Sequence, residues 1–176
     1  LALPQQRLWY LQQFTPETTV FNLGIAIRLS GSLNLAALQQ ALQKIISRHE
    51  IMRTRFRIDN GMPVMVVQDT VNLDLTPEPV EGADTSARLI KARQLCQQLI
   101  DIPFDLENDT LFRTRIYTIA PNDHVLFFVA HHAIFDGGSF DILFKELSFL
   151  YGQNCAGTSG SLPPLPVQYQ DYSTWL

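Results

Sequence analysis

Val125–Ala130 is an unbroken apolar run that leads directly into two histidines, His131 and His132. It is far too short to cross a bilayer, which takes about 20 residues. A run of this length fits a strand covered on both faces, and such a strand needs further elements packed above and below it. The rest of the chain supplies candidates. Phe21, Leu23, Ile25, Ile27 and Leu29 alternate strictly, which predicts a strand with one buried face, closed by Gly31. Asn34 can cap a helix marked by Leu35, Leu38, Leu42 and Ile45 and ending near Arg48-His49-Glu50.

Alternation returns at Met52, Thr54, Phe56 and Ile58, then Asp59-Asn60-Gly61 makes a turn and Met62–Gln68 the returning strand of a hairpin. Residues 77–86 carry two prolines, a glycine and three acids, and read as a loop. Leu89, Ala92, Cys96 and Leu99 mark a second helix, with Pro103 just past its end. Leu111–Ile119 alternates as a strand, while Phe140, Leu143, Phe144, Leu147 and Leu150 fit a third helix. Residues 154–166, rich in Gly, Ser and Pro, read as a flexible connector before a short aromatic tail, Tyr169–Trp175. No internal repeat is visible. This order of elements predicts an α/β fold with a mixed, partly antiparallel sheet.

Composition narrows the function. The 176 residues suit one domain, or one half of a two-lobed one, and an apolar share of 46% is enough for a sizeable core. A net charge of −4 argues against a general nucleic-acid binder. Cys96 and Cys155 form neither a disulfide framework nor a metal spacing, and Cys96 falls on a helix face as a small core residue. The chain shows no secretory signal and no membrane span, so a reduced, cytoplasmic protein is expected. It also lacks an initiator Met, as an excised segment would.

Chemistry concentrates where the buried run ends. Neighbouring side chains of a strand point to opposite faces, so His131 and His132 cannot share a role. One should face a cleft and the other should be tied into the fold. Gly137 and Gly138 then predict a turn before the helix, whose first N–H groups can hold developing negative charge. Histidine is suited to proton transfer near neutral pH. Asp136 is placed to pair with His132, to pair with an arginine elsewhere, or simply to cap the helix. A metal site built from the two histidines and Asp136 is disfavoured, because no fourth ligand stands nearby.

The run His131-His132-Ala133-Ile134-Phe135-Asp136-Gly137 resembles the signature of nonribosomal peptide synthetase condensation domains. Gln5–Leu11 resembles the opening motif of that family, Arg48–Phe56 the second and Tyr169–Trp175 the fourth, all in the right order. The resemblance spans nearly the whole chain. It implies a chloramphenicol acetyltransferase-like lobe, with a largely antiparallel mixed sheet packed by helices. Residues 1–176 would be the N-terminal lobe, and 153–176 an inter-motif loop and the start of the connection to a missing C-terminal lobe.

The implied reaction joins a donor acyl or peptidyl thioester to an acceptor aminoacyl thioester, in a tunnel between the lobes. No cofactor is bound directly. Both substrates ride on the phosphopantetheine arms of donor and acceptor carrier proteins, with an adenylation domain adjacent. Carried over by position, His132 is the functional histidine, as base or as orienting group. His131 and Asp136 look structural, with Asp136 in a salt bridge that holds the loop. Gly137 offers its N–H near the oxyanion, and Arg7, Arg48 and Arg53 are scaffold. Gly138 stands where the family often has an aromatic residue, and Ala2 where it usually has Ser. Two competing functions are a coenzyme A-dependent acyltransferase of the same fold and a non-catalytic relative that recruits a synthetase partner. Without its second lobe the chain is expected to be inactive alone.

Overall fold

The computed structural model describes residues 1–158 and 160–175. Its centre is a four-stranded sheet in the order β1-β6-β5-β4, with β1 at Asn22–Ser30, β4 at Pro77–Pro79, β5 at Phe112–Ala120 and β6 at Asp123–His131. β6 pairs antiparallel with both β1 and β5, whereas β4 runs parallel to β5. All of Val125–Ala130 is buried, as its unbroken apolar character requires. β1 alternates between half-buried Leu23, Ile25, Ile27 and Leu29 and exposed residues between them.

Helices cover both faces. On one side α2 (Leu35–Arg48) packs against α4 (Gly137–Cys155), above Ile27, Leu126 and Phe128. On the other side α3 (Thr85–Ile100) lies on β1, β5 and β6. A Cβ at Gly24 would meet Ile100 Cδ1 at 2.8 Å and Phe127 Cζ at 3.0 Å, so the bare glycine lets α3 approach the sheet. Asn34 and Asp84 cap α2 and α3 by accepting the N–H of Ala37 and of Ala87. Cys96 is in the core, where burial pushes its thiol up to about 11. The separate hairpin β2 (Thr54–Asp59) and β3 (Met62–Val67) turns at Asn60 and Gly61, both with positive φ, as a type I′ turn needs.

One helix has no expectation behind it, and five expectations need correction. Leu3–Phe14 forms a helix, α1, that the apolar pattern does not announce, because its buried residues are Gln5, Trp9 and Gln12. Met52 belongs to a 3-10 turn at Glu50–Arg53, so β2 begins only at Thr54. Pro77–Pro79, expected as loop, adds a short edge strand, a place where missing proline N–H groups are tolerated. Gly137 and Gly138 are the first residues of α4 rather than a turn before it. The 154–166 connector and the 153–176 loop are shortened, because α4 runs to Cys155 and the tail forms α5 at Tyr169–Trp175. Ser159 and Leu176, which those two expectations include, lie outside the described residues. Among the described residues no helix is long and apolar enough to cross a membrane.

Candidate active site

β6 delivers the two histidines to opposite environments, as period two requires. His131 is fully buried, at 0% exposure, and its backbone N–H continues the sheet to Leu111 O at 2.9 Å. Its Nδ1 accepts the N–H of Ala133 at 3.1 Å. The ring proton therefore sits on Nε2, which faces Gln12 Oε1 at 3.4 Å. Gln12 is itself held, since its Nε2 donates to Pro16 O at 2.9 Å and Thr18 O at 3.3 Å. Phe21 and Phe104 meet the His131 ring edge-on. Burial, with the nearby charge of His132 adding to it, pushes the pKa of His131 down to about 4. A neutral ring is what the bond from Ala133 demands.

His132 is exposed. Its N–H reaches Phe21 O at 2.8 Å, so it stays in register with β1 one residue past the strand end. Its Nδ1 lies 3.0 Å from Phe135 O. A carbonyl only accepts, so Nδ1 carries the proton and the Nε2 lone pair is left without a partner among the described residues. The side chain lines two open grooves. One, of about 530 Å³, runs past Arg7, Leu11 and Phe21. The other, of about 520 Å³, runs past Ile51, Phe135, Asp136 and Tyr169. His132 is thus reachable from two directions.

Asp136 does not make the expected salt bridge among the described residues. Its Oδ1 is already committed as the cap of α4, accepting Ser139 N at 2.8 Å and the Ser139 hydroxyl at 2.6 Å. The Ser139 hydroxyl in turn accepts the Asp136 N–H at 3.2 Å. Those bonds from Ser139 hold the Asp136 carboxyl below the usual range. Gly137 and Gly138 occupy the first turn, where N–H groups lack intrahelical acceptors. A Cβ at Gly137 would meet nothing within 4 Å, so close packing does not explain this glycine. His131, His132 and Asp136 do not form a ligand set, since both ring nitrogens of His131 are engaged inside the fold.

The three arginines divide. Arg7 is exposed and lines the groove beside His132. Arg48 pairs with Glu146 at 3.1 Å, and His49 Nε2 meets the other Glu146 oxygen at 2.8 Å. Arg53 donates to the carbonyls of Ile46 and Gln68, tying α2 to the end of β3. Three further residues bear on the site without standing out in the sequence: Gln5, whose Nε2 donates to Ala133 O at 3.0 Å, Gln12 and Glu146. A fourth is Gln168, which joins the aromatic tail to Arg48 O and Glu50 N. Glu146 left a signal: it is an acid inside the apolar stripe of Leu143, Leu147 and Leu150. The glutamines left only their spacing with Trp9 on one helix face.

Comparison with known proteins supplies the family. The model of the condensation domain matches residues 1–176. Phosphinothricin tripeptide synthetase PhsC of Streptomyces viridochromogenes is 35% identical over 175 residues, 99% of this chain and 16% of that protein. The X-domain from teicoplanin biosynthesis matches with a TM-score of 0.86 and 34% identity, over 99% of this chain and 37% of that one. The starter condensation domain of rhizomide synthetase RzmA shares the fold with a TM-score of 0.89 at 19% identity, over 99% of this chain and 43% of that one. The chain thus spans well under half of each of these relatives. With this match over its whole length, a chloramphenicol acetyltransferase-like mixed sheet and the two histidines at its buried strand end, the chain belongs to the condensation-domain family of nonribosomal peptide synthetases.

Proposed function

We propose that the protein containing this chain forms an amide bond between a donor acyl or peptidyl thioester and an acceptor aminoacyl thioester, and that His132 carries the proton chemistry. The observation behind this reading is the exposed Nε2 lone pair of His132, with Nδ1–H anchored on Phe135 O. The neutral acceptor amine attacks the donor carbonyl carbon, a C–N bond forms and the C–S bond breaks. The amine proton passes to His132 Nε2 and then to the departing thiolate, which leaves as a thiol. Gly137 N–H, at the start of α4, is assigned to the carbonyl oxygen as it gains charge. His131 and Asp136 hold the loop, Arg48 and Arg53 brace the scaffold, and Arg7 borders the substrate groove.

Each thioester arrives on the phosphopantetheine of a carrier protein, one donor and one acceptor, with an adenylation domain loading the acceptor. A C-terminal lobe closes the grooves, so residues 1–176 alone transfer nothing. The test is dipeptidyl transfer between loaded carrier proteins by the complete domain. His132→Ala is expected to lower turnover by roughly 10²- to 10⁴-fold. Turnover equal to the wild type removes His132 from the chemistry.

One observation favours a second reading. The teicoplanin X-domain, at 33% identity over 99% of this chain, was solved in complex with OxyB, which favours a protein-recruiting role for this chain as the second reading. The same assay separates the two readings, because a docking platform leaves loaded carrier proteins unreacted.

A further inference from the structure

We infer that Gln5 is a positioning residue for His132, acting through the peptide bond that follows it; this rests on the role proposed above for His132. His132 and Ala133 are gripped at four points. His132 N–H bonds Phe21 O at 2.8 Å, which fixes the backbone on the sheet side. His132 Nδ1 meets Phe135 O at 3.0 Å, which fixes the ring. Ala133 N–H bonds His131 Nδ1 at 3.1 Å, and Ala133 O receives Gln5 Nε2 at 3.0 Å. Ala133 therefore has both polar backbone groups held by side chains rather than by a ladder or a helix. Each hold limits how far the peptide after His132 can shift, and with it the ring.

Both holds lead back to one helix. Gln5 grips Ala133 O directly, and Gln12 faces the ring of His131, which grips Ala133 N–H. Gln5, Trp9 and Gln12 make the buried face of α1. Packing alone does not account for such a face. Gln5 is 2% exposed, yet its Oε1 has no partner among the described residues, so an apolar side chain of the same length would remove a buried orphan oxygen. What that residue would lose is the donor to Ala133 O. Gln5 also borders the groove that holds His132, but its buried oxygen is out of reach of a substrate. It acts through Ala133, not by contact.

The experiment compares the complete domain with its Gln5→Met and Gln5→Asn variants. Met keeps the length without the donor; Asn keeps the donor but draws it back from Ala133 O. Steady-state transfer between loaded carrier proteins and the ¹⁵N resonances of the His132 ring are read together. Both variants are expected to lose about 10-fold in kcat with KM changed by less than about 2-fold, and to shift the His132 ring signals. Wild-type kcat in either folded variant overturns the inference, as does a fall in kcat with the His132 signals unmoved. Failure of both variants to fold also overturns it, in favour of a purely architectural glutamine. The ring signals do not depend on turnover. Inactivity of the wild type, or full activity of His132→Ala, therefore refutes the proposed reaction without bearing on whether Gln5 orients His132.

Discussion

α1 and α2 are helices of similar length that do different things with their buried faces. α2 buries Ala37, Leu38, Ala41, Leu42, Ile45 and Ile46. α1 buries Gln5, Trp9 and Gln12, and leaves Leu3, Leu11 and Phe14 exposed. α2 starts on the Asn34 cap and ends with Arg48 in its last turn, whereas α1 has no side-chain cap. The buried face of α2 serves packing. α1 spends its inner face on hydrogen bonds to the residues that carry and follow the histidine pair. It also leaves Gln5 Oε1 and Trp9 Nε1 without partners among the described residues. Each buried orphan costs about 1–3 kcal/mol, a large share for a domain of ordinary stability. The difference teaches that a helix can be retained for what it positions even when it packs at a cost.

The comparison breaks most easily at the core of α2. Ile46→Ala empties a site that is 0% exposed and is expected to cost about 2–5 kcal/mol of stability. Denaturant melts measure that loss, while kcat per folded molecule should hold. A comparable drop in kcat would show that α2, too, serves the site.

The next largest effect lies on the polar side, at His131. Its folded pKa of about 4 lies below the ordinary 6.5, so the unfolded chain binds the extra proton. The neutral ring thus adds stability that is complete above about pH 6.5 and is lost as pH falls toward 4, in all about 3 kcal/mol. His131→Asn, which cannot ionise, should flatten the stability curve across that window. An unchanged slope would contradict the buried neutral ring.

Asp136 sharpens the contrast from the other end of the loop. Asp136→Ala removes the cap of α4 and should cost about 1 kcal/mol, whereas Asp136→Asn, still a capping residue, should cost less. Equal and much larger losses would point to a charge partner for Asp136 beyond the cap. Asn34→Ala is the smallest change, at most about 1 kcal/mol, with no effect on turnover.

The same contrast explains what the sequence made legible. α2, α3, β6 and the Asn60-Gly61 hairpin follow from local rules: apolar spacing, a cap, an unbroken apolar run, two residues that accept positive φ. The unequal surroundings of His131 and His132 followed from the two-residue repeat of a strand. α1 escaped because its inner face is polar, and β4 because two prolines disguise an edge strand. The clamp escaped for a stronger reason. Gln5 meets Ala133 across 128 positions and Gln12 meets His131 across 119, and no local pattern carries such a contact. Asp136 shows the reverse case. The salt bridge carried over from the family needs an arginine from outside the described residues, while the local rule for an acid before a helix had the cap right.

The central claim is that the fold holds two adjacent histidines in opposite tautomers so that only one offers a lone pair to solvent. A ¹⁵N spectrum of the histidine rings, taken above the pH range where histidine titrates, tests it directly. The expected spectrum has the His131 proton on Nε2 and the His132 proton on Nδ1, with His131 remaining neutral as the pH is lowered toward 4. Matching tautomers in the two rings, or protonation of His131 near 6.5, would contradict it.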